Sequence, residues 1–240
     1  MKTLRIFLAS AMMLLASFGA AAQELWLSAE GRTNITNKLR ANIEMEHRSR
    51  DGFDATSRWS ASAGLSYKCL PWLRTGVSYK FLYNRDGGKT TKKGNYIPYY
   101  WQQGHRAQIN VTGSMNLGKF EVSLREAYQY TNFPGQSVEK LDEDGYPKDD
   151  EVIETENRHL MRSRLQLEYK HSKKRILTPY ASVELYNNLS DGFASTKVRY
   201  TTGTEIGIDK HNSISVFYRF VDRVHSRNTN VIGVSYQYKL

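Results

Sequence analysis

From residue 38 to Leu240 the chain alternates in twos. Leu73, Thr75, Val77, Tyr79, Phe81 and Tyr83 interleave with Arg74, Gly76, Ser78 and Lys80. Ala107, Ile109, Val111, Gly113 and Met115 interleave with Arg106, Gln108, Asn110, Thr112 and Ser114. An extended chain sends successive side chains to opposite faces, so each segment reads as a strand with one apolar and one polar face. The pattern recurs over 38–48, 57–68, 119–131 and 158–170, and again near 178–187, 197–208, 212–221 and 229–240. That predicts ten long strands. Residues 24–33 alternate only weakly: Leu25, Leu27 and Ala29 share a parity that Trp26 breaks. Counting them gives eleven, an odd number that bacterial barrels avoid. Residues 23–37 are therefore expected to be a periplasmic or lumen-lying lead segment, with a twelve-stranded barrel as the alternative.

The strand lengths decide the fold class. Segments of about ten to thirteen residues exceed the ~5–6 usual in soluble sheets and match the ~9–11 a tilted strand needs to cross a bilayer. Connections alternate between short (69–72, 116–119, 171–176, 209–212) and long (84–104, 132–157). Short turns at one end and long loops at the other are the outer-membrane barrel pattern. Only closed barrels and helices satisfy every backbone group inside lipid, and no stretch after the first twenty residues is apolar enough for a helix. A soluble sandwich or lipocalin-like barrel would have shorter strands. Trp59, Tyr67, Trp72, Tyr83, Tyr169, Tyr236 and Tyr238 gather near strand ends as interfacial girdles do. The expectation is an all-β, antiparallel transmembrane outer-membrane β-barrel over residues 38–240, with both termini periplasmic.

The first residues supply an address. Lys2 and Arg5 precede an apolar run from Ile6 to Phe18, and Ala20 and Ala22 fit a cleavage site before Gln23. Residues 1–22 read as a signal peptide, which implies export and a Gram-negative outer membrane. The chain carries a net charge of +10, and without residues 1–22 it keeps 32 basic and 24 acidic residues. An exported chain with dispersed charge argues against nucleic acid. One cysteine excludes a disulfide framework and a Cys-built zinc site, and no cofactor or metal motif is present. Ile232, Val234, Tyr236, Tyr238 and Leu240 alternate to the last residue. Such an ending resembles the signal read by the barrel-assembly machinery.

The segments WLSAEGRTNITNKLRANIEMEHR, SLREAYQYT, HLMRSRLQLEY and TPYASVELY, in that order, resemble an uncharacterised outer-membrane barrel family known as a domain of unknown function. The resemblance implies a barrel and the outer membrane. It carries no activity and no functional residues.

Candidate chemistry starts with the lumen. Parity turns Arg40, Arg74, Lys80, Arg106, Arg125, Arg162, Arg164, Arg199 and Arg219 inward, with Glu44, Glu46, Glu121, Glu168, Glu184 and Glu205. Paired charges would rigidify a narrow barrel. The positive excess would favour small anionic solutes over cations. Arg162 and Arg164 are expected to reach carboxylates such as Glu184 and Glu44. The alternative function is a lipid hydrolase. His47 and Ser49 continue the lipid-facing register of Ile43 and Met45, and Asn230 would orient the imidazole if the first and last strands close the barrel. The acidic loop 133–157 reads as solvated, its Asp142-Glu143-Asp144-Gly145 run falling short of a calcium loop. Divalent cations bridging it to lipopolysaccharide phosphates is the lesser reading. Glu126 interrupts the apolar face between Leu124 and Tyr128, predicting a bulge near Arg125 or a place at the outer headgroups. The expected partners are outer-membrane lipid and lipopolysaccharide, around a monomer.

Overall fold

The computed structural model describes residues 23–170, 176–224 and 226–240; the stretch read as a signal peptide lies outside them. All ten expected strands form: β2 (Leu39–Arg50), β3 (Ala55–Leu70), β4 (Leu73–Asp86), β7 (Tyr100–Leu117), β8 (Phe120–Phe133), β11 (Glu156–Tyr169), β12 (Leu177–Asn188), β13 (Ala194–Gly207), β14 (Asn212–Arg223) and β15 (Thr229–Lys239). The lead segment is also a strand, β1 (Glu24–Asn34). Its weak pattern hides an ordinary parity, since Trp26 is the inward residue and Leu25, Leu27 and Ala29 face out. The barrel therefore closes with eleven strands among the described residues, neither ten nor twelve, in the order β1-β15-β14-β13-β12-β11-β8-β7-β4-β3-β2.

An odd antiparallel series must close on one parallel pair, and β1 runs parallel to β15, Trp26 beside Gly233 and Leu27 beside Val234. This also moves one terminus. β15 ends at the short-turn end, where Leu240 N–H donates to Arg32 O, while Gln23 N–H donates to Asn230 O at the long-loop end. The two ends of the described chain thus lie at opposite rims, not both at the periplasmic one.

The turns follow the sequence. Gly118, at φ +62°, takes the left-handed position between β7 and β8. Asp209 accepts hydrogen bonds from the His211 and Asn212 backbone N–H groups and from Asn212 Nδ2 between β13 and β14. The acidic loop is more ordered than expected. β9 (Gln136–Leu141) and β10 (Pro147–Ile153) form a hairpin that joins β5 (Lys89–Thr90) and β6 (Tyr96–Ile97) in a four-stranded sheet above the long-loop rim. Lys140 pairs with Glu151 across that hairpin at 2.9 Å, and Ile97 of β6 and Val138 of β9 are buried.

The outer face is apolar. Ile43, Met45, Leu65, Val77, Ile109, Val111, Met115, Leu124 and Leu165 are exposed, as lipid-facing residues must be. No bulge forms at Glu126: β8 pairs without a register shift against both β7 and β11. Glu126 stays outward at mid-strand, away from the headgroup level. It is accommodated by the Ser163 hydroxyl, which donates to its carboxylate at 2.6 Å.

Candidate functional site

The inward side chains of eleven strands line one enclosed interior. On one wall the filling alternates large and small at a single level. Tyr180 pairs with Gly203, Gly203 with Phe217, Phe217 with Gly233, and Gly233 with Trp26. A Cβ at Gly233 would overlap the Phe217 ring, so the glycine is what lets the ring lie flat on the wall. Trp26, Val221 and Val231 form a buried apolar cluster with Phe217 beside it.

Beyond this row the interior is cationic on every side. Arg40, Arg74, Lys80, Arg106, Arg125, Arg162, Arg164, Arg199 and Arg219 line a cavity of about 630 Å³, with Glu44, Glu46 and Glu184. Glu121, Glu168 and Glu205 line a wider vestibule of about 980 Å³ at the short-turn end. In all, fourteen Lys and Arg and four Glu border the inner cavity. Sequence reasoning missed Glu30, Arg32 and Trp26 because it did not count β1 as a strand. It also missed Arg48, Arg58 and Lys197, although each continues the inward parity of its strand.

Glu184 is where the charges meet. It accepts from Arg125 Nη2 at 2.7 Å and Arg162 Nη2 at 2.8 Å, and the Tyr186 hydroxyl donates to its second oxygen at 2.7 Å. Arg199 lies 3.8 Å from the same carboxylate and donates to the Tyr186 hydroxyl. Arg164 does not join: among the described residues the ion pairs to Glu184 come from Arg125, Arg162 and Arg199, although Arg164 stands directly across from that carboxylate. Arg125, from the far side of β11, takes the carboxylate instead. Glu44 is held by Lys80 at 2.9 Å, and Glu46 by Arg48. Two aromatic faces support the guanidiniums. Arg48, Arg199 and Arg219 lie 3.6, 5.1 and 4.9 Å from the Trp26 ring, while Arg162, Arg199 and Lys197 lie 4.4–4.8 Å from Tyr186. Such contacts contribute ~2 kcal/mol or more when desolvated.

The outward residues proposed for hydrolysis are not brought together. The register shifts between Arg48 and Ser49, which takes Ser49 off the face of His47. Ser49 is 3 % exposed and accepts from the Leu25 N–H. His47 Nε2 instead meets Thr56 Oγ1 at 3.2 Å and packs on Trp59. β1 stands between β2 and β15, so Asn230 is one strand too far, and its Oδ1 accepts from the Tyr218 hydroxyl. His47, His105 and His159 all sit beside outer-girdle aromatics, with Tyr79 bonded to His105 and Tyr128 to His159.

A family profile described as a protein of unknown function (DUF2490) matches residues 23–231. The sequence matches no curated protein. Among solved structures, the fold is similar to the translocator domain of the autotransporter NalP from Neisseria meningitidis, with a TM-score of 0.56, 13 % identity, and 83 % of this chain and 74 % of that one covered. It is similar also to the beta domain of the Bordetella autotransporter BrkA, with a TM-score of 0.52, 11 % identity, and 81 % and 80 % covered. Both likenesses speak to the barrel alone.

Proposed function

We propose, since this chain belongs to the DUF2490 family and shares its fold with autotransporter barrels, that it sits in a Gram-negative outer membrane with its short turns in the periplasm. There it forms a narrow, largely side-chain-filled lumen that passes small anions in preference to cations. Insertion through β15 by the barrel-assembly machinery, lipopolysaccharide contact at the histidine-bearing rim, and a monomeric state belong to the same proposal.

The observation that carries it is the charge of the wall, fourteen cations against four carboxylates on one cavity. A low-dielectric passage lined by one sign of charge concentrates counter-ions. The test is planar-bilayer recording across a potassium chloride gradient. Small conductances with a chloride-directed reversal potential are expected. Cation selectivity or large, porin-sized steps would overturn the reading. The hydrolase alternative has no geometric support, because no hydrogen bond joins His47 to Ser49 among the described residues.

A further inference from the structure

We propose that the lumen is a binding site for soluble phosphorylated solutes bearing at least two phosphoryl groups, held by Arg58, Arg106 and Arg219. This rests on the anionic reading of the lumen and narrows it to a ligand class. The three arginines share one local construction. Each faces a short polar side chain directly across the neighbouring strand: Arg58 faces Asn84, Arg106 faces Thr131, and Arg219 faces Thr201. In each pair Nε donates to that wall oxygen, at 2.5, 3.1 and 2.9 Å. The guanidinium plane is thereby fixed with its back to the wall. The terminal Nη groups of all three have no acceptor among the described residues.

Three pre-oriented forks on β3, β7 and β14 converge on one space. Arg48 and Arg199 both bear electrostatically on all three of them. The two deepest carboxylates are already taken, Glu46 by Arg48 and Glu184 by Arg125, Arg162 and Arg199. Buried like charges without enough counter-charge are costly, so the cluster calls for an anion. A planar fork matches phosphate oxygens in a bidentate way that a halide cannot reproduce.

Size then sets the class. The cavity of about 630 Å³ falls inside the roughly 300–1,000 Å³ range of small-molecule sites and is far larger than one phosphate. Six free Nη groups also outnumber the oxygens of a single phosphate, which is why the ligand is assigned at least two. Access is from the short-turn end, where the vestibule and the cavity share Arg32, Arg40 and Arg74. Leu82, Phe133, Val221 and Val231 are buried in the long-loop half of the interior, where Phe133 borders the same cavity and Val231 stands beside Arg219. The closed sheet separates the site from lipid.

The experiment is calorimetric titration of the full refolded barrel, in non-ionic detergent micelles without lipid, with pyrophosphate, orthophosphate and chloride. One pyrophosphate per barrel is expected, bound at least tenfold more tightly than orthophosphate and with no saturable chloride binding. Arg58→Gln, Arg106→Gln and Arg219→Gln should each weaken pyrophosphate about tenfold, while Lys92→Gln in the β5–β6 loop should not. If a variant fails to fold, the wild-type thermal midpoint still decides, because it should rise with pyrophosphate concentration. Absence of saturable pyrophosphate binding to the wild type would overturn the proposal, as would equal affinity for orthophosphate. Dioleoyl phosphatidic acid in the micelles should not compete; competition would overturn the assignment to a soluble solute. Anion-selective conductance without pyrophosphate binding would remove this site and leave the pathway. Binding without conductance would do the reverse.

Discussion

At Glu184 two guanidiniums and a phenol converge on one carboxylate that is almost wholly out of solvent. Glu184→Gln keeps the shape and removes the charge, leaving Arg125, Arg162 and Arg199 to repel one another. The expected loss is ~3–5 kcal/mol, the effect of stripping one partner from a buried pair, read as the urea midpoint for retention of the folded, heat-modifiable band. A loss no larger than the ~0–1 kcal/mol of a surface pair would mean that solvent screens the cluster. Glu126 runs the other way. It faces lipid with one hydroxyl for support, so Glu126→Leu should stabilise the barrel in bilayers, by less than ~2 kcal/mol. Parity along a strand made the inward set legible, Arg162 and Glu184 included. It did not reveal which arginine takes Glu184, because a guanidinium can reach straight over the intervening strand. Arg125 does this, and Arg164, the direct neighbour, does not.

Between strands, the seam depends on a ring laid over a missing side chain. Gly233→Ala places a methyl group where Phe217 lies and should lower stability by ~1–3 kcal/mol, as overpacking does. In a Phe217→Ala background the same change should be close to neutral, because the obstruction is gone. A full effect in both backgrounds would show that Gly233 matters for its backbone and not for the ring. The β13–β14 turn offers a second test. Asp209 is held below the ordinary carboxyl range, first by the His211 N–H and then by the two donors of Asn212. A depressed folded-state value means that the turn's contribution is present above the unfolded value and fades as pH falls through the folded one. The His211 amide resonance should therefore titrate below 3.8, and Asp209→Ala should abolish that titration. The ten barrel strands were readable because each carries its own period-two signal. β1 was not, because Trp26 reads as the inward residue only once the strand is set beside β15, where it stands next to Gly233, some two hundred residues away. The β9–β10 hairpin was hidden similarly: a register shift between Lys148 and Glu151 breaks its alternation, and its partners β5 and β6 are two residues each.

For the molecule as a whole, the parallel closure fixes the circumference, the places of the termini and the wall that faces the arginines. If β1 were a detached lead segment, β2 would meet β15 antiparallel, the barrel would have ten strands, and Trp26 would leave the array of Arg48, Arg199 and Arg219. The two closures predict different neighbours for β15. In the eleven-stranded barrel Leu27 stands beside Val234, both on the lipid face. In a ten-stranded barrel a β2 residue such as Met45 would take that place. Leu27→Cys with Val234→Cys, in a chain whose exposed Cys69 is changed to Ser, should therefore form a disulfide on oxidation of the folded protein. The cross-link should also raise resistance to unfolding, since it ties nearly the whole chain into one covalent loop. Met45→Cys with Val234→Cys should stay reduced, because β1 stands between them. The opposite pattern would mean that ten strands close the barrel. It would also place the arginine forks around a narrower space than the one from which a diphosphate ligand is inferred.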